Sequence, residues 1–372
     1  MGGERTRRDR LSAIWEYLHA HPEPSMQEFG TAEYLAELMR AGGLDPRPFK
    51  DFPGFTVDVG PGAPVVGLRA DMDALIHEQD GGPVAIHSCG HDAHMAIVAT
   101  VMLELAELGG RLGGAVRAIF QPAEESGNGA ELVAGLGVAD ELTYLFGVHL
   151  RPKAELPSPR LAPSISHGAC QFAVGTITGE DHHGARPHQG VNAIELALGI
   201  AQGLARIKCD PQVPHSAKMT MLQAGGETHN VIPGSSRFAV DLRAQSNEAM
   251  AVLREGLLAL CSQAAASTGS VIDLEFHDAV PAAVIGPRAE ATLAAAVDAE
   301  LGPGHLVPGL VTSGSDDFHF YTIRNPGLQA SMLAVGADLE PGLHHPSMTF
   351  EFDAMERAVA VVRAACLRAV TR

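Results

Sequence analysis

Nine consecutive residues, HSCGHDAHM (87–95), contain three histidines, a cysteine and an aspartate. Thiolate and imidazole together suit zinc, manganese, cobalt or nickel. Cys89, His91 and His94 are the candidate donors, and a Cys-x-His pair lets two side chains converge from one tight loop. A single histidine would read instead as a solvated residue at a helix start, with Asp92 favoured by the N-terminal dipole. The paired spacings of a zinc finger are missing, which argues against a purely structural zinc. QPAEES (121–126) adds two adjacent glutamates. Hydrolysis at a metal needs a carboxylate ligand and a separate base for the water. Glu124 and Glu125 could divide those jobs, or form a solvated pair. GVHL (147–150) and GLHHPSM (342–348) supply His149 and His344 or His345, enough to complete a two-metal site. In HNVIPGSSRFAVDLRA (229–244), Asn230 could bind an amide carbonyl and Arg243 could grip a carboxylate with two prongs. The local sequence by itself describes a hairpin with a solvated arginine.

Elements that could position these groups recur along the chain. GAPVVGLRADMD (62–73), GAVRAIFQPAEE (114–125) and YLFGVHL (144–150) read as short apolar strands, and TAEYLAELMRAGGL (31–44) and MAIVATVMLELAELGG (95–110) as helices stopped by Gly-Gly. Strands alternating with helices predict an α/β sheet with helices on both faces. Ligands bind such sheets at the carboxyl ends of strands, where Asp71, Asp73, Glu124, Glu125 and His149 all fall. RPKAELPSPRLAPS (151–164) reads as a proline-rich linker. The order β-α-β-β-α-β then predicts a small ferredoxin-like α+β unit. A helix near 288–301, a strand near 329–335 and a helix at 353–370 return to α/β character. The expected division is 1–168 and 281–372 for one catalytic domain, with 169–280 inserted.

The 372 residues are 46% apolar with a formal charge of −18, which favours solubility. No basic cluster beyond Arg5–Arg10 suggests a nucleic-acid partner. The N-terminus reads as an amphipathic helix, since Glu16 and His19 interrupt any signal-type apolar run. MGGERT also fits a short myristoylation pattern. No run approaches the roughly 20 apolar residues of a membrane span, so no membrane partner is expected. Five scattered cysteines suggest a reducing cytoplasm rather than a disulfide framework.

LRADMDAL, HSCGHDAH, FQPAEE, GVHL, HGARPHQGV, NVIP, GSDDF and LHHP, in that order, resemble the dinuclear metallo-amidohydrolases of the aminoacylase, hippurate hydrolase and indoleacetyl-amino-acid hydrolase type, relatives of carboxypeptidase G. The likeness runs from HPEPSMQE (21–28) to LHHP (343–346). It implies a zinc-peptidase-like catalytic domain with an inserted lid that commonly carries dimer contacts. It implies two divalent ions per subunit, held by Cys89, His91, Glu125, His149 and His344, with Glu124 as general base. His183 and Asn230 would contact the substrate carbonyl, His183 in the partner subunit's site. Arg243 and the GSDDF loop, through Gly314 and Ser315, would hold the substrate carboxylate. Ile76 stands where the family has proline and Asp316 where it has glutamate. His345 beside His344, and His182 beside His183, leave both assignments open.

The function this implies is metal-dependent hydrolysis of N-acyl amino acids or related conjugates by a cytoplasmic homodimer or higher homo-oligomer. Two alternatives are a metal-independent Cys-His thiol amidase using Cys89, and a non-catalytic binding protein on the same fold.

Overall fold

The computed structural model describes residues 6–371. Most of MGGERT therefore lies outside the described residues. The chain divides into two compact units. The first is 6–166 with 284–312 and 316–371; the second is 167–283 with 313–315. The second unit thus starts two residues before the expected 169 and ends three after 280. It also takes Ser313–Ser315, which the sequence reading left with the catalytic domain.

The first unit opens with helices α1 (Arg7–Ala20) and α2 (Phe29–Ala41). Strands β1 (Arg47–Pro48), β2 (Phe55–Val59) and β3 (Pro64–Asp71) follow. After a hairpin over 75–86 come α3 (His91–Leu108), β4 (Ala115–Gln121), α4 (Gly129–Gly135), β5 (Tyr144–Pro152) and β6 (Leu161–Ala162). Helix α3 starts four residues before the expected 95, so His91 and His94 stand on its first turn. The proline-rich stretch is not wholly a linker: Leu161 and Ala162 are buried and pair along the sheet edge. Proline composition signals the bends there but not the two residues that reach the sheet.

The second unit contributes β7 (Ala169–Thr178), α5 (Ala193–Leu204), β8 (His215–Ala224), β9 (Ser236–Ala244), α6 (Asn247–Thr268) and β10 (Val271–Val280). Its sheet order is β8-β9-β7-β10, antiparallel throughout, which is the ferredoxin-like arrangement. The chain then supplies α7 (Pro287–Leu301), α8 (Phe320–Arg324), β11 (Gln329–Leu339) and α9 (Asp353–Ala369) to the first unit.

The first unit's sheet runs β1-β2-β4-β3-β5-β11-β6. Its four central strands are parallel and its outer pairings antiparallel. Burial on both sides explains the unbroken apolar runs. Val66, Leu68 and Ala70 alternate onto the face covered by α1, α2, α3, α7 and α9. Leu145, Met332 and Ala334 pack on the other face with Ala130 and Val133 of α4 and Tyr321 of α8. Helices α3 and α6 are long and apolar enough to cross a membrane by composition alone. Fourteen of the eighteen residues of α3 are buried, as in a core helix, and α6 buries Leu253, Leu257 and Cys261 along one stripe.

In the second unit Gly175 pairs with Phe238, and a Cβ at Gly175 would fall 2.1 Å from the phenyl Cζ. The buried ring fills the space that a side chain would take. Gly175→Ala is expected to destabilise the protein by about 1–3 kcal/mol through overpacking, read as a lower denaturant midpoint. An unchanged midpoint would show that the ring has room to move.

Candidate active site

Two sets of donors converge at the carboxyl ends of the parallel strands. Cys89, His91 and His149 offer atoms within 4.8 Å of one another, as do Cys89, Glu125 and His344. Cys89 belongs to both. All five residues lie in the first unit. Gly90, at φ +90, separates Cys89 from α3. That left-handed step strongly favours glycine and swings Cys89 and His91 toward one space. His344 also sits at positive φ (+64), and its N–H donates to the Ser88 carbonyl at 2.7 Å, tying it beside Cys89.

The hydrogen bonds fix the ring orientations. His91 Nδ1 lies 2.8 Å from the Asp73 carbonyl, and His149 Nδ1 lies 2.6 Å from the Leu150 carbonyl. A carbonyl only accepts, so each Nδ1 carries a proton, and in the neutral ring each Nε2 offers its lone pair. His149 Nε2 faces Cys89 Sγ at 3.7 Å. His91 Nε2 stands 3.7 Å from Glu124 Oε2 and 3.8 Å from Glu125 Oε1. His344 Nε2 is 3.6 Å from Glu125 Oε2. His345 turns away and accepts from the Ser347 N–H at 3.1 Å. Among the described residues, His91 Nε2 and Glu125 Oε1 are buried without a hydrogen-bond partner. Orphaned buried polar atoms are costly, and lone pairs aimed at a common space fit a cation.

His94, a candidate donor by sequence, is otherwise engaged. Its Nδ1 donates to Asp71 at 2.8 Å and its Nε2 accepts from the Leu150 N–H at 3.1 Å. It props β5 against α3 and keeps no free lone pair.

Acidic groups outnumber cations around this space. Burial, then Asp316 and Glu125, push the Glu124 carboxyl well above the usual range. Burial also raises Glu125 and holds the Cys89 thiol far up. Burial opposes charge on His91, but Asp71, Cys89 and Asp73 outweigh it and raise its pKa. Burial depresses His149. A buried thiol held protonated is a poor nucleophile, which weighs against the metal-independent alternative. A bound divalent cation would stabilise the thiolate and carboxylates.

Spacing pointed to Asp71 and Asp73 at a strand end without disclosing their work. The Asp73 carboxylate accepts the Glu124 N–H at 3.1 Å, the Glu125 N–H at 2.9 Å and the Ser25 hydroxyl at 2.6 Å. Behind it, buried Arg69 pairs with Asp71, donates to Asp317 at 2.6 Å and to Gln121 at 2.9 Å. Arg69 was missed by sequence reasoning, as an arginine in an apolar strand shows no partner until the sheet is assembled.

The remaining expected residues belong to the second unit. His183 and Val231 pair in a two-stranded ribbon, where the Gly184 N–H donates to the Asn230 carbonyl at 2.7 Å. His183 is exposed, whereas His182 covers Gly190 so closely that a Cβ there would meet its ring at 1.5 Å. Arg243 lies opposite Cys170, over the Phe172 ring, with Nε 2.7 Å from Asp241. The Gly314 carbonyl accepts from the Gly168 N–H at 3.0 Å, with Ser315 next in the chain.

Comparison with known proteins agrees with this chemistry. The model of peptidase family M20/M25/M40 matches residues 67–368. N-acetyl-L-cysteine deacetylase of Bacillus subtilis is 29% identical over 94% of this chain and 85% of its own. N-acyl-L-amino acid amidohydrolase of Geobacillus stearothermophilus is 34% identical over 59% and 62%. A dinuclear metal-binding peptidase of Bacillus subtilis, 24% identical, shares the fold with a TM-score of 0.80 over 98% of this chain and 99% of its own. The chain belongs to peptidase family M20/M25/M40 and is a metal-dependent amidohydrolase.

Proposed function

We propose that the protein cleaves the amide bond of N-acyl amino acids or related conjugates, releasing a carboxylic acid and a free amino acid. The observation that carries this reading is the sharing of Cys89 between two donor sets, with Glu124 beside both. Cys89, His91, Glu125, His149 and His344 would hold two divalent ions; soft and imidazole donors suit zinc, manganese, cobalt or nickel. When bound, such ions supply Lewis acidity, polarising a carbonyl and lowering the pKa of water. The two relatives named for deacetylation and acyl-amino-acid hydrolysis support this substrate class.

The chain's own residues supply the rest of the chemistry. Glu124 takes the proton of the attacking water and passes it to the leaving amine. His183 and Asn230 meet the substrate carbonyl oxygen and steady its developing charge. Arg243, with Gly314 and Ser315, holds the carboxylate of the amino acid, using the guanidinium edge that Asp241 leaves. The second unit acts as a lid and dimerisation surface, and His183 serves the partner subunit's site. A cytoplasmic setting is consistent with five free cysteines.

Stripping the protein with a chelator should abolish hydrolysis, and adding back one of the four ions should restore it. Full activity in protein shown metal-free by elemental analysis would sink the reading. Cys89→Ala should lower bound metal more than either His149→Ala or His344→Ala, because Cys89 alone of the three serves both sets.

Glu124→Gln should keep its metal and lose about 10²–10⁴-fold in turnover, the usual worth of a general base. Glu125→Gln should lose metal instead. The opposite pattern of metal contents would reverse the two roles.

Mixing inactive His183→Ala with inactive Glu124→Gln protein under subunit exchange should regain activity. Each hybrid dimer has one site with both groups intact. No recovery despite proven exchange would place His183 in its own subunit's site or in none.

A further inference from the structure

The turn that presents the paired glutamates has an anchor not used by the chemistry above. Glu28 closes the N-terminus of α2 and is completely buried. Its Oε1 accepts the Ala123 N–H at 2.8 Å, while its Oε2 has no hydrogen-bond partner among the described residues. Ala123 is also fully buried and is held at φ +59. A residue with a Cβ adopts that left-handed conformation only when its surroundings impose it. The next residue is Glu124.

We propose that Glu28 is a positioning residue for Glu124: its carboxyl oxygen captures the Ala123 N–H, holds the left-handed step and so aims the general base. The inference rests on the reading of Glu124 as that base. Two carboxyl groups from distant parts of the chain then grip three successive N–H groups of one turn. Glu28 takes that of Ala123, and Asp73 takes those of Glu124 and Glu125. Without Glu28 the Ala123 N–H would be buried and unpaired, and relaxation of its φ would rotate the peptide that carries Glu124. On that peptide Asp73 holds the Glu124 N–H, and the Gly129 N–H and Ser126 hydroxyl, each at 3.1 Å, hold the Ala123 carbonyl; Glu28 is the side-chain anchor on the amide that precedes them, across the strained Ala123 φ.

Burial pushes the Glu28 carboxyl up to about 8, with Asp73 and Glu23 adding to the rise. The group is therefore largely uncharged at neutral pH and works as an oriented acceptor. A side-chain amide presents the same carbonyl oxygen, so Glu28→Gln separates the acceptor from the charge.

The test compares variants of the metal-loaded protein by kinetics on an N-acetyl amino acid, elemental analysis and thermal unfolding. Glu28→Leu should bind full metal, hold KM within about twofold and lose about 10–100-fold in kcat, the scale expected of a misplaced catalytic group. Glu28→Gln should retain most of the wild-type kcat. Adding Ala123→Gly to Glu28→Leu should recover part of the loss, because glycine holds positive φ without strain. Wild-type kcat in Glu28→Leu, an effect confined to KM or metal content, or failure of Glu28→Gln to retain kcat would each overturn the proposal. Should Glu28→Leu not fold, Glu28→Asp withdraws the oxygen by one methylene, and its kcat is read by the same rule. Glu124→Gln is measured alongside. If that variant keeps full turnover, the base assignment fails whatever Glu28 does. If it is inactive while Glu28→Leu is fully active, only the Glu28 inference fails.

Discussion

Arg69 stands on the central parallel strand β3 with its side chain 1% exposed. A guanidinium so placed has lost its water and must be surrounded by acceptors. Asp71 comes from its own strand, Gln121 from the neighbouring strand β4, and Asp317 from the segment before α8. Gln121 in turn donates to both oxygens of Asp317, and Asp317 accepts the Ala130 N–H at the start of α4. One buried cation therefore ties together the parts of the chain that carry the chemistry. Asp71 passes the connection to His94, and His94 to the backbone of β5 beside His149. Loss of any one partner would strand charge in the interior, so the arrangement holds together or fails together.

What the sequence disclosed, and what it withheld, follows from the range of each interaction. The strand ends with their acidic residues and histidines were legible because apolar runs and polar termini are local patterns. The β-α-β-β-α-β order was legible for the same reason. His94 stood among the candidate donors of its stretch because its spacing from His91 fits a metal site equally well; Asp71 and the Leu150 N–H engage both of its ring nitrogens in the fold. The short strand Leu161–Ala162 was hidden in a proline-rich stretch because two residues carry no periodicity. Glu28 and Arg69 look like ordinary charged residues until the fold gives them partners 95 and 248 positions away.

Chain order separates the groups of the candidate site in a telling way. Asp71, Asp73, Cys89, His91, Glu124, Glu125 and His149 all precede the second unit, and Asp317 and His344 follow it. The strand β11 inserts between β5 and β6, both of which come earlier in sequence. Until β11 arrives, β5 has an open parallel edge and β6 has no partner strand in that sheet.

This ordering has a consequence for synthesis on the ribosome. The second unit is nearly continuous, so it can fold as it emerges. The first unit cannot close its sheet until β11 has left the exit tunnel, and His344 emerges later still. The nascent chain thus carries a half-built set of soft donors through most of its translation. A cation picked up early would meet Cys89, His91 and His149 but not His344. On the proposed ligand assignment, commitment of metal to the complete site would be deferred until the polypeptide is nearly finished.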